Sequence, residues 1–463
     1  MYTAYIGKRL IELINQREGK DYTAKAFFDE VYVPLFFGKD RYLLWINNSP
    51  FDQAYKSSTP QKPPKKDGKP KKPKKIIPIT DEILEKALKE LHFKVKNVPL
   101  DGSFFLGGAA SESKAPTSGQ VTDISLPISE HEVYASWIGA AMGVGVGDLN
   151  ILVDADEVLW ELYNGWIQYR KYMSQTPTLK PHQVNTWNGY WLTNVFDDYY
   201  DADYPFASKT PPIKTDTNTG VASLETTSWI KVIFALSKKM PKRMLNSYVY
   251  SLSQMNTTVG FIAIELPAIS SFRDLYRQIL AHQEVLAVEG LEMLYDTPMG
   301  FQKACELGKI GIPALEPNEL KEYIFSNKGE GKAFKPPKDS KETNNFILYQ
   351  TWIIAMLDNQ KLVELSQKSA IVLLDFANQK DRGKTTNRQL VDSLLESAYL
   401  RQFIERLEEL IKKSPSEVSI FENLFETIVS ISTSNFPMFK ALLRIRYAIE
   451  QAKQSNQNLN ENN

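Results

Sequence analysis

The sequence predicts an α+β protein: a mixed, loop-rich N-terminal domain over 1–325, a linker over 326–345 and an all-α helical bundle over 346–463. Three observations predict it. Beyond residue 345, apolar residues recur at helical spacing, with only short polar breaks such as "DNQ", "SPSE" and "STSNFP". Before it, the glycine-bearing "GVGVGDLNILVD" runs into a strand-like apolar stretch, and 176–225 is rich in Trp, Tyr, Asn, Asp and Thr. Two polar segments bearing Gly and Pro, 56–75 and 326–345, punctuate the chain.

The elements follow in order. "MYTAYIGKRLIELINQREGK" spaces Ile6, Leu10, Leu13 and Ile14 on one face, which makes it an amphipathic helix and not a signal peptide. An aromatic-dense stretch, 24–51, ends in the turn signal "NNSP". Residues 56–75, "KSSTPQKPPKKDGKPKKPKK", hold nine lysines, five prolines and a single acid, Asp67. Such a segment has no apolar surface to bury and reads as a solvated, extended insertion. "TDEILEKALKEL" is a helix capped by Thr80 or Asp81. The glycine segment and the aromatic helix "ADEVLWELYNGWIQYRKYM" occupy 130–175, and 176–225 reads as loop or β. Several helices fill 228–310, broken by "KKMPKRM" and "IELPAIS". Five helices make the bundle, at about 346–357, 360–377, 387–412, 417–431 and 437–453.

Composition narrows the function classes. In 463 residues, 55 Lys and Arg balance 55 Asp and Glu, so any polyanion binding rests on local patches. The single cysteine, Cys305, leaves no intrachain disulfide and no Cys-rich metal site, as in a reducing cytoplasm. No run of about 18 uncharged apolar residues is present, so no membrane span is expected.

The chemical motifs are mostly negative. Gly143, Gly145 and Gly147 have the wrong spacing for a dinucleotide fingerprint, and the strand follows them instead of preceding them. No Gly-Lys-Ser/Thr follows, which excludes a P-loop. The glycines either let the backbone approach another molecule or permit tight packing before a buried strand. His92, His131, His182 and His282 are scattered, and Asp197, Asp198, Asp201 and Asp203 lack the glycine and glutamate of a calcium loop. Neither a metal nor another cofactor is expected, and no catalytic residue is assigned.

The positive signals are electrostatic. Lys62, Lys65, Lys66, Lys69, Lys71, Lys72, Lys74 and Lys75, alternating with proline, suit a phosphate backbone. The alternative is a solubilising loop with no partner. In the bundle, "NQKDRGKTTNR" offers Lys380, Arg382, Lys384 and Arg388 with Thr385 and Thr386. Lys440, Arg444 and Tyr447 share one side of the last helix, to which Arg401 and Arg406 add. A helix face that simply meets water is the alternative.

"AKAFFDEVYVPLFFG" (24–38), "NNSPFDQAY" (47–55), the segment 143–173 and "LLDFANQKDRGKTTNRQLVDSLLES" (373–397) resemble the large subunit of type I CRISPR Cascade complexes, nearest the type I-B or Myxococcus-type large subunits. The resemblance implies a non-catalytic protein at the foot of a guide-RNA particle. Its N-terminal domain would read the protospacer-adjacent motif in duplex DNA. Its small-subunit-like bundle would lie along the R-loop. Partners would be guide crRNA, target DNA, the backbone, handle-binding and small subunits, and a recruited helicase–nuclease or transposition proteins. Met356 is a candidate internal start for a separate bundle. On this reading Gly143, Gly145 and Gly147 form a loop against duplex DNA, with Asn150 reaching bases or phosphates. The competing classes are a helical scaffold or adaptor without nucleic acid and a metal-dependent nuclease.

Overall fold

Helix α1 (Tyr2–Glu18) buries Ile6, Leu10, Leu13 and Ile14, the face that the spacing predicts. Its partner is α6 (Glu130–Ala141), which starts at a capping box between Ser129 and Glu132. The two backbones touch: a Cβ on Gly7 would lie 1.9 Å from the Ala135 carbonyl oxygen, and one on Gly139 1.8 Å from that of Thr3. In the computed structural model, the described residues are 2–38, 41–46, 49–58, 65–66, 69–70, 79–97, 128–147, 149–251, 257–281, 300–308, 310–317, 319–324, 332, 334–335, 339–379, 386–413, 418–432 and 435–461. They form two compact units, 1–267 with 299–310, and 268–298 with 311–463.

In the first unit, α2 (Ala24–Phe27) and α3 (Val33–Phe37) are joined by a π-helical turn, Phe28–Tyr32. This places Phe28, Tyr32, Phe36 and Phe37 in the core with Trp137 and Trp166. Tyr32 stacks on Phe36 with centroids 4.2 Å apart, and Phe36 meets Trp166 edge-on at 4.9 Å. Helices α4 (Pro50–Ser58) and α5 (Asp81–Asn97) pack together and bracket the lysine insertion. Within it, β1 (Lys65–Lys66) pairs antiparallel with β2 (Lys69–Pro70). That local ladder departs from the fully extended segment expected.

The sheet is antiparallel, in the order β3 (Val144–Val146), β4 (Leu149–Val153), β7 (Met244–Ser251), β8 (Thr257–Glu265). A small hairpin, β5 (Ile213–Thr215) with β6 (Ala222–Leu224), lies apart from it. Helices α7 (Asp156–Gln175), α8 (Val184–Val195) and α9 (Trp229–Lys239) complete the core. Two expectations are corrected here. Residues 184–195 are helical: Trp187, Asn188, Tyr190, Trp191, Leu192 and Asn194 are all buried, so the helix shows little amphipathic stripe to detect. Residues 244–265 hold a strand pair and not helices; Leu245, Ser247 and Val249 alternate inward with period two.

Helix α10 (Leu266–Ala281) spans the division at residue 267, and the short α11 (Phe301–Glu306) belongs to the first unit. The second unit contains α12 (Leu320–Ile324), α13 (Ser340–Leu357), α14 (Gln360–Asn378), α15 (Asn387–Leu395), α16 (Leu400–Lys413), α17 (Val418–Val429) and α18 (Phe436–Glu461). The expected helix at 387–412 is two helices, broken at "ESAY". The expected linker already becomes α13 at Ser340, capped by Asp339. Helix α18 is central: Ala441, Leu442, Leu443 and Ile445 are all inaccessible. A bundle begun at Met356 would lack nearly all of α13, including the buried Ile347 and Ile353 that form part of the core.

Candidate nucleic-acid interface

The glycine segment is built into the core. Helix α6 ends at Met142, and its last carbonyls need donors. Helix α8 supplies them. Asn185 Nδ2 donates to the carbonyls of Ala140 (3.1 Å) and Gly143 (2.8 Å), and Asn188 Nδ2 to those of Ala141 (2.8 Å) and Gly143 (2.9 Å). A Cβ on Gly143 would meet Asn185 Nδ2 at 2.7 Å, and one on Gly145 the Asn185 carbonyl at 2.9 Å. The expectation of an open loop at Gly143 and Gly145 is therefore corrected. These glycines let β3 lie against α8, and Val144 and Val146 are buried beside them. Only Gly147 is exposed, at the β3–β4 tip with φ +64°. Asn150 is half-buried on β4, opposite Gly145 and Tyr250.

The lysine insertion has both ends rooted on the packed pair α4 and α5. Lys65, Lys66 and Lys69 lie in its short ladder, whereas Lys62, Lys71, Lys72, Lys74 and Lys75 lie outside the described residues. At its root Lys56 Nζ is 2.6 Å from Asp52 Oδ2 and 5.6 Å from the centroid of Trp45. The Trp45 indole is 41% exposed. Its inner side packs on His182, which also meets Tyr55 and Tyr42, at centroid distances of 4.7, 4.9 and 6.2 Å. His182 has φ +67°, and its backbone N–H donates to the Tyr42 carbonyl at 2.9 Å. Burial, helped by Lys180, lowers the imidazole to about 4, so it stays neutral at physiological pH.

Two arginines hold this corner by donating to carbonyls. Arg41 reaches those of Met173, Thr176 (2.9 Å), Pro177 (3.1 Å) and Leu179 (3.3 Å). Arg170 reaches those of Leu35 (2.8 Å) and Arg41 (2.8 Å). What remains at the surface is an exposed indole beside an ammonium, where a lysine-dense segment leaves the fold. A flat ring next to cations is the arrangement on which a base stacks while its phosphates are neutralised.

The bundle candidates divide. Lys380, Arg382 and Lys384 lie outside the described residues. Thr386 caps α15, its hydroxyl accepting from the Gln389 N–H. Arg388 is exposed. Arg401 is exposed and paired with Glu405 at 3.0 Å, one helical turn along α16. The expected basic side of α18 is corrected: Lys440 is 1% and Arg444 6% exposed. Lys440 Nζ donates to the Ser397 carbonyl at 2.7 Å, and Arg444 to those of Lys332 (2.6 Å) and Tyr323 (3.4 Å). Because α18 is surrounded along this stretch, Lys440, Arg444 and Tyr447 are all buried within the unit.

One constellation has no sequence signal. His92 Nε2 is 3.0 Å from Asp29 Oδ1 and its Nδ1 2.5 Å from the Tyr134 hydroxyl, while Lys25 holds Asp29 from outside at 2.5 Å. The π turn aims Asp29 at α5, and a turn of that kind carries no residue pattern. The acidic stretch 197–203 is anchored by Asp197, which pairs with Lys209 (2.6 Å) and Lys238 (3.6 Å). Among the described residues, no three His, Cys, Asp or Glu side chains are grouped to hold a metal ion, and no helix is long and apolar enough to cross a membrane. No protein-family model, no curated protein and no solved structure matches this chain.

Proposed function

We propose that this chain is a non-catalytic, nucleic-acid-binding large subunit of a type I CRISPR guide-RNA complex, working in the cytoplasm on duplex DNA and the R-loop. The observation that carries the reading is the lysine segment. In a chain whose charges cancel, nine lysines fall within 56–75. The segment is rooted beside the exposed Trp45 ring. A mixed unit followed by a helical one is in keeping with the family resemblance. With Gly143 and Gly145 packed inward, the DNA-facing candidates on this reading are the hairpin tip at Gly147 and the lysine segment. Guide pairing would supply sequence selectivity, with guide crRNA and the other Cascade subunits as partners and a helicase–nuclease or transposition proteins recruited afterwards.

The test is salt dependence. Replacing 59–78 by a short Gly-Ser link should flatten the slope of log affinity for duplex DNA against log salt by about 0.9 for each phosphate that the segment neutralises. An unchanged slope sinks the proposal for this segment. A helical scaffold without nucleic acid is the second reading, favoured by the burial of Lys440 and Arg444. It predicts no retention on heparin by the intact chain. Divalent-dependent cleavage of DNA by the purified chain would replace both readings with a nuclease.

A further inference from the structure

One face of the four-stranded sheet carries a groove that the nucleic-acid reading does not use. It crosses the strands along one row. Asp154, just past β4, donates its backbone N–H to the Asn246 carbonyl on β7 at 3.4 Å, and Asn246 stands opposite Ala263 on β8. The next row is apolar and aromatic, with Leu152 and Phe261 on either side of Tyr248. The first turns of α1 supply a wall through Tyr2 and Tyr5. The hollow has a volume of about 500 Å³. That falls within the roughly 300–1,000 Å³ of ordinary ligand clefts.

Its rings are open to solvent: Phe261 is 70% and Tyr5 43% exposed. Phe261 meets Tyr2 at 5.1 Å and Tyr248 at 5.2 Å, contacts that hold the ring without covering it. Asn246 is exposed, and its carboxamide has no hydrogen-bond partner among the described residues. Asp154 is the one charged side chain among the described residues of the lining. Its Oδ2 accepts from the Tyr5 hydroxyl at 2.8 Å, and its Oδ1 faces Arg9 Nε at 3.7 Å. The same Arg9 guanidinium pairs more closely with Asp156 (2.6 Å) and Glu12 (3.3 Å). Arg243 is engaged by Glu157 at 2.6 Å. Two guanidiniums serve four carboxylates here, and Asp154, inside the groove, has the longest of these ion pairs.

We infer that this groove takes an arginine side chain of a basic partner polypeptide. Charge selects the sign of the occupant, since a strand of nucleic acid would bring its phosphates against Asp154 and the surplus carboxylates beside it. Shape and hydrogen bonding select the guanidinium. Its flat face lies on an exposed ring, whose negative π-face attracts a cation. Its forked N–H donors meet the Asp154 carboxylate and the Asn246 carboxamide oxygen together. A lysine ammonium, a compact and strongly hydrated point charge, matches neither the rings nor the paired acceptors as well. Rings already packed on one another need little ordering when the arginine enters, which lowers the cost of association. The groove is opposite in sign to the lysine segment, and the inference does not rest on what that segment binds.

The test uses the intact chain and no nucleic acid, so its failure is independent of the salt experiment. The probe is a fluorescein-labelled Gly-Ser peptide carrying arginines, with twins in which lysine or the neutral isostere citrulline replaces them. Followed by anisotropy, the arginine peptide should bind about tenfold tighter than the citrulline twin and about threefold tighter than the lysine twin. Phe261→Ser, at an exposed position, should cut that affinity about tenfold with an unchanged melting temperature, and Asp154→Asn should cut it as much. Asp198→Asn with Asp201→Asn and Asp203→Asn, in the acidic stretch outside the groove, should leave it unaltered. Equal binding of the arginine and citrulline peptides overturns the inference, as does an affinity that follows the acidic-stretch variant and ignores Phe261→Ser. A lysine twin that binds as tightly overturns the choice of a guanidinium. Free arginine methyl ester binding as tightly as the peptide overturns the choice of a polypeptide.

Discussion

In the first unit the carbonyls at the end of α6 are met by neutral amides, Asn185 and Asn188 of α8. In the second, the carbonyls of Ser397, Lys332 and Val363 are met by cations of α18: Lys440, Arg444 and Arg446. Both answer the same requirement, that a buried carbonyl needs a donor. They differ in cost. The amide gives up only its own hydration, whereas a cation removed from water is penalised far more heavily. The penalty is visible in the second unit, where burial lowers Arg444 and brings Arg446 down to about 10. A long cationic side chain is therefore no guide to where the surface is. Its place on a helix, and what surrounds that helix, decide.

Removing the amides should have the largest effect. Asn185→Ala with Asn188→Leu strips every side-chain donor from the Ala141 and Gly143 carbonyls. At about 1–3 kcal/mol for each buried group left unpaired, the destabilisation should be about 3 kcal/mol in urea unfolding. A midpoint within error of wild type would mean that these bonds contribute nothing net, and the contrast between the units would lose its first half.

The imidazole of His182 is a third case, a half-buried ring whose inaccessible Nε2 has no hydrogen-bond partner among the described residues. Its folded value of about 4 lies below its ordinary 6.5. Above about pH 6.5 neither state carries the proton, and its contribution is complete. As pH falls from there toward 4, the unfolded chain takes up a proton that the folded chain refuses, so stability drops by up to about 3 kcal/mol. His182→Asn, which tolerates the left-handed backbone, should flatten that part of the stability–pH curve. An identical curve in the variant would assign the acid sensitivity to other groups.

Lys440→Met should be the mildest. It leaves the Ser397 carbonyl unpaired but also removes a buried ammonium, and the two effects largely oppose each other. About 1 kcal/mol of destabilisation is expected by thermal unfolding, with nucleic-acid affinity of the folded protein unaltered. If affinity falls while stability holds, Lys440 faces a ligand after all, and the comparison between the units fails at its second half.

The sequence displays α1, α7 and the bundle helices α14, α15, α16 and α17 because each is apolar on one side and polar on the other, a contrast that periodicity detects. It hides α8, which is apolar or engaged on every side, and the β7–β8 pair, whose period of two is short and interrupted by a polar residue, Ser247, at an inward position. For the candidate site, the spacing of Gly143 and Gly145 reveals that the backbone comes close to something. It cannot reveal that the something is Asn185, forty residues away and in a helix the pattern does not show. Lys440 and Arg444 were legible in principle: Ala441, Leu442, Leu443 and Ile445 leave α18 no watery side at that level. The root of the lysine segment combines residues from three stretches, Trp45, Lys56 and His182, and only the fold assembles them.

The meeting of α1 and α6 also has a consequence for how the protein is made. Gly7 and Gly139 come together across more than a hundred intervening residues, the lysine insertion among them. At about 5–20 residues per second on the ribosome, the first helix waits on the order of ten seconds for its partner to emerge. Throughout that interval the apolar stripe of Ile6, Leu10 and Ile14 stands uncovered beside the nascent chain, the natural moment for a chaperone to hold it.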